Sequence, residues 1–110
     1  MKRFARTVNL RDDPQVIAQY EAYHANPFPE VLAGLSSGGV QRMYIYRYGR
    51  QLFMFMETAD DYDLPRAAPP ESVHPRAREW DLLMRSFQET VPGAPAGSTW
   101  VEMKEVFAFA

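Results

Sequence analysis

The sequence predicts an α+β domain of the ferredoxin-like type, βαββαβ, with a four-stranded antiparallel sheet and its helices on one face. Three observations carry that expectation. Val40–Tyr48 and Gln51–Thr58 alternate as strands do and are separated only by Gly49-Arg50, a spacing suited to a hairpin. Helical patterns flank this pair and a strand pattern stands near each end, giving the order β-α(α)-β-β-α-β. The strands are also apolar on both faces, with Phe53 and Phe55 alternating with Met54 and Met56. No spare helix remains to cover the second face, so a partner sheet is the expected cover and a dimeric α+β barrel the expected architecture.

The elements follow in order. Residues 3–10 read as a strand, with Phe4, Arg6, Val8 and Leu10 on one face and Ala5, Thr7 and Asn9 on the other. Asp12-Asp13-Pro14 is a helix start, an aspartate N-cap followed by proline at the first helical position. Val16, Ile17, Tyr20, Tyr23 and His24 then recur on one helical face. Asn26-Pro27-Phe28-Pro29 stops that helix, because each proline drives the residue before it out of α geometry. A second helix from near Pro29 directs Val31, Leu32 and Leu35 inward and ends at Gly38-Gly39. After the hairpin, residues 59–75 are acidic and then proline-rich, a surface loop long enough to serve as a lid or rim. Trp80, Leu83, Met84 and Phe87 mark an amphipathic helix. A loop around Pro92-Gly93-Ala94-Pro95 leads to a last strand, Thr99–Phe109, with Val101, Met103, Phe107 and Phe109 on one face.

At 110 residues the expectation is one domain spanning 1–110. The net charge is −2 and the basic residues form no stripe, which argues against nucleic acid as a partner. No apolar run approaches the roughly 18 residues that cross a bilayer. The N-terminus lacks a signal-peptide core, so a cytoplasmic location is expected. The absence of cysteine excludes disulfides and thiolate metal sites.

Of two histidines, His24 is placed for chemistry, four residues after Tyr20 on one helix face and beside the kinked Asn26–Glu30 segment. Its ordinary pKa near 6.5 suits proton transfer at neutral pH. The alternative is a helix C-terminal cap, where an imidazolium is favoured. Tyr20 reads as a hydroxyl donor to a substrate or as a core tyrosine. Trp80 reads as a platform for the apolar face of a sugar ring or as a core residue. Glu30 and Glu57 show no metal-ligand spacing, and Asp60-Asp61-Asp63 reads as solvated loop. No phosphate loop, nucleophile elbow or zinc spacing is present.

Tyr20-(x3)-His24-(x2)-Pro27-Phe28-Pro29-Glu30 resembles the Y-x3-H-x3-[W/F]-P-E signature of the L-rhamnose mutarotase family. The likeness extends over Met43–Tyr46, Leu52–Glu57, Trp80-(x3)-Met84 and Trp100–Phe107. It implies a homodimeric α+β barrel acting without cofactor on the anomeric carbon of a 6-deoxy sugar. His24 would then be the acid/base group, Tyr20 a sugar-binding partner and Trp80 a pocket wall. Some members carry paired tryptophans where this chain has Trp80-Asp81, and tryptophan where it has Phe28. Both positions touch the sugar site; L-rhamnose is the substrate the resemblance implies, with L-fucose, the sugar of related sequences, as the alternative. The competing reading is another dimeric α+β barrel, either a haem-binding or a ligand-binding module.

Overall fold

The computed structural model describes residues 1–62 and 74–109. Its elements are β1 (Lys2–Leu10), α1 (Pro14–Ala25), α2 (Pro29–Ser37), β2 (Val40–Tyr48), β3 (Gln51–Thr58), α3 (Pro75–Phe87), β4 (Gln88–Glu89) and β5 (Val101–Glu102). The predicted α+β class and its order of elements are both present. Of the 59–75 loop, residues 63–73 (with Asp63) lie outside the described residues. No helix among the described residues is long and apolar enough to cross a membrane.

The sheet runs β2-β3-β1, with β4 and β5 both paired along the outer edge of β1, and every pairing is antiparallel. Gly49 makes the β2–β3 turn with φ +59°, a backbone state that costs a side-chain-bearing residue strain. Strand alternation divides the sheet cleanly. Val8, Leu10, Leu52, Met54 and Met56 are buried on the helix-facing side, where Tyr20, Trp80, Met84 and Phe87 meet them. On the opposite side Tyr46 stacks on Phe53, and Tyr44 pairs with Phe55. Among the described residues no helix covers that side, and Tyr44 and Tyr46 are about half exposed, at 48% and 61%.

The helix signals operate as their chemistry requires. The Asp13 side chain accepts from the Gln15 N–H at 2.9 Å, with Pro14 opening α1. Gly39, at φ +101°, reverses the chain after α2, and its carbonyl accepts from the Ala59 N–H. One inward assignment on α2 is corrected: Leu32 is 54% exposed. A hollow lies beneath α2 at that point, and Leu32 stands on its rim.

The last strand is also corrected. Instead of a continuous Thr99–Phe109 strand, two dipeptides line β1. Asn9 faces Glu89 while Thr7 faces Val101, so two steps along β1 correspond to twelve along its partner, and the partner carries ten surplus residues. Beyond β5 the Met103 N–H still bonds the Ala5 carbonyl and Glu105 still pairs with Arg3 at 2.7 Å. There β1 runs out. Val106, Phe107 and Phe109 have no strand to join and are 79–94% exposed.

Candidate active site

A cleft of about 1160 Å³ opens between the helices and the inner face of the sheet. Its helical wall comes from α1, α2 and α3, its floor from β1, β2 and β3, and its far edge from Thr99 and Trp100. Pockets that enclose small molecules run about 300–1,000 Å³, so a monosaccharide fits with room for water.

All three residues singled out from the sequence line this cleft. Tyr20 and His24 stand one turn apart on α1, which places them on one face, and their rings lie 4.2 Å apart. Trp80 reaches in from α3, its ring 5.1 Å from His24 and 5.0 Å from Phe28, both edge-on. Such edge-to-face packing is favourable and fixes ring orientation. Trp80 is also 91% buried within the core stripe, being 9% exposed, so the wall and core readings hold together.

The imidazole's partner decides its tautomer. His24 Nδ1 lies 2.9 Å from the Tyr20 carbonyl oxygen. A carbonyl only accepts, so Nδ1 carries the proton and Nε2 is left with a lone pair. Burial pulls the His24 pKa below 6.5, partly opposed by that hydrogen bond. The ring is therefore a neutral base at pH 7. It also occupies the last turn of α1, but as a neutral donor to a backbone carbonyl and not as a charged cap. Burial drives the Tyr20 phenol well above its ordinary range, the neighbouring Gln88 side chain offsetting part of this. Tyr20 thus stays protonated and can only be a donor or neutral acceptor at working pH.

Sequence reasoning passed over two further cleft residues, Arg6 and Trp100. Arg6 was legible as the one charge on the apolar Phe4-Arg6-Val8-Leu10 face. Trp100 carried no local signal, because its side chain belongs to the cleft only through the pairing of the following residues with β1. Asp81 also lines the cleft and pairs with Arg85 at 2.8 Å. Glu30 lies in the first turn of α2 with one buried carboxylate oxygen left without a partner among the described residues. Among the described residues no three His, Asp or Glu side chains gather as a metal site.

Comparison with known proteins shows the family. The family model for L-rhamnose mutarotase matches residues 3–109. The chain is 37% identical to an L-fucose mutarotase of Xanthomonas campestris pv. campestris, over 98% of this chain and 88% of that protein. It is 35% identical to a UPF0734 protein of Dictyostelium discoideum, over 96% and 88% respectively. In three dimensions it resembles the L-rhamnose mutarotase of Formosa agariphila, with a TM-score of 0.71 at 20% identity and full coverage of both chains. The tetracenomycin F2 cyclase of Streptomyces glaucescens shares the fold at a TM-score of 0.58 and 15% identity, again over both whole chains.

Proposed function

The chain belongs to the L-rhamnose mutarotase family, and from that premise we propose that it interconverts the α and β anomers of a 6-deoxy-hexose, with His24 as the acid/base group. Family membership makes it an isomerase of the aldose 1-epimerase type. The observation that carries the mechanism is the fixed tautomer of His24, a neutral imidazole with Nε2 unprotonated in a cleft of monosaccharide size.

Anomer exchange requires a proton to leave the anomeric hydroxyl and another to reach the ring oxygen as the bond from C1 to that oxygen breaks. Both oxygens are bonded to C1, so one imidazole can serve both. Nε2 takes the hydroxyl proton, the aldehyde forms, and His24 returns a proton to the ring oxygen. The aldehyde turns about its C1–C2 bond and closes on the other face, with the proton transfers reversed. Tyr20 steadies a sugar oxygen by hydrogen bonding and Trp80 faces the apolar side of the ring. One positioned acid/base group contributes about 10²–10⁴-fold, enough for a reaction that already proceeds unaided in water.

L-Rhamnose is the substrate read from the sequence pattern. The 37% identical relative named for L-fucose favours that sugar as a second reading. Saturation-transfer NMR between anomeric protons, run across both sugars and their non-deoxy counterparts, tests the proposal. Accelerated exchange for a 6-deoxy sugar is expected; binding without faster exchange would make the protein a binding module and overturn it. The reading includes a homodimer, supported by the uncovered Tyr44-Tyr46 face and the exposed arm bearing Phe107 and Phe109.

A further inference from the structure

We propose that Arg6 and Trp100 form a sugar-binding pair on the sheet side of the cleft, the guanidinium donating to adjacent ring hydroxyls and the indole covering the carbons beside them. This rests on the mutarotase reading and adds to it a contact on elements other than the helix that carries the acid/base group.

Arg6 is out of place unless something polar comes to it. It shares a strand face with Val8 and Leu10, both fully buried, and stands opposite Met54 on β3. Charge on such a face is costly unless paired. The other arginines lining the cleft are paired: Arg47 with Glu21, Arg85 with Asp81, and Arg42 with Glu57 at 3.9 Å. Among the described residues Arg6 has no ion-pair or hydrogen-bond partner. Burial pulls the Arg6 pKa down, opposed only at a distance by Tyr62 and by Glu102, which stands opposite Arg6 on β5. A guanidinium stays charged regardless and presents five donors in a planar fork. That fork lies 5.9 Å from the centre of the Trp100 ring. A cation and an apolar plane are thus set together on a cleft wall, the guanidinium without a hydrogen-bond partner among the described residues. Adjacent hydroxyls on a sugar edge match the fork, and the carbons bearing them match the indole.

The chain's two tryptophans, Trp80 and Trp100, both line the cleft, so intrinsic fluorescence reports occupancy independently of turnover. L-Rhamnose and L-fucose would be titrated into the wild type, Arg6→Gln and Arg6→Lys, with anomer exchange measured in parallel. Loss of charge-assisted hydrogen bonds should raise Kd about tenfold or more in Arg6→Gln, with a smaller rise in Arg6→Lys, which keeps the charge but not the fork. An unchanged Kd in Arg6→Gln overturns the pair while leaving the mutarotase reading intact if the wild type exchanges anomers. Sugar binding that depends on Arg6 in a wild type without exchange supports the pair and sinks the mutarotase reading. A wild type that neither binds nor exchanges either sugar overturns both. Should Arg6→Gln fail to fold, an unchanged Kd in Arg6→Lys overturns the forked contact.

Discussion

Replacing His24 by asparagine separates the two roles of the imidazole. The asparagine amide can take over the 2.9 Å bond to the Tyr20 carbonyl, whereas nothing in it replaces Nε2. The structural cost comes from the lost ring, which packs 4.2 Å from Tyr20 and 5.1 Å from Trp80. At about 0.5–1.5 kcal/mol for each such pair, the loss is about 1–3 kcal/mol. Domains of this kind are stable by about 5–15 kcal/mol, so the variant stays folded. The catalytic cost is larger: removing one acid/base group should slow exchange by about 10²–10⁴-fold, or about 2.7–5.4 kcal/mol of barrier. The assay is anomeric saturation transfer, at a temperature where circular dichroism shows the variant folded. A folded His24→Asn that exchanges anomers at the wild-type rate would refute the mechanism.

The pH dependence follows from the lowered His24 pKa: exchange should decline as pH falls, with its midpoint below the ordinary imidazole value of about 6.5, as an NMR rate profile will show. The same shift has a stability counterpart, because the unfolded chain takes up the proton first. The contribution is whole above the ordinary pKa of 6.5 and is lost as pH falls towards the folded value. Melting temperatures of wild type and His24→Asn should therefore converge below pH 6.5. Trp80→Ala should lose about 3–5 kcal/mol in denaturant titration and bind sugar weakly, whereas Trp80→Phe should fold yet exchange slowly; full activity in Trp80→Phe would reduce Trp80 to a core residue. Light scattering at micromolar concentration should give about twice the 12.7 kDa chain mass, and a clean monomer would count against the barrel.

The sequence made legible whatever local chemistry decides. Asp13-Pro14, Gly39 and Gly49 set the ends of α1, α2 and the hairpin, and strand alternation identified the buried Leu52, Met54 and Met56. It also picked out Tyr20, His24 and Trp80, because helical spacing fixes which side chains share a face. What it missed depends on pairing between distant segments. The 99–109 run has good strand character throughout, but a strand needs an edge to join, and β1 begins at Lys2, one residue beyond the Arg3 that pairs with Glu105. The place of Trp100 in the cleft likewise appears only when β5 is laid against β1. Leu32 fits the inward helical pattern, yet no core fills the space beneath it.

The ten surplus residues between β4 and β5 have a consequence for how the site can diversify. They leave the ladder after Glu89 and rejoin it at Val101, and a hydrogen bond from the Thr90 hydroxyl to the Ser98 carbonyl, 2.8 Å long, pinches the detour near its base. Pairing on either side is fixed by β1, so residues can be added or removed between Thr90 and Ser98 without altering the register of the sheet. Loops tolerate such changes at small entropic cost. Yet Thr99 and Trp100, at the returning end, form one edge of the cleft, while His24 stands on a separate helix. Varying the length of this detour would reshape that edge of the cleft while leaving His24, the proposed proton-transfer group, untouched. On the proposed mechanism, substrate range and chemistry would be carried by segments that can change independently.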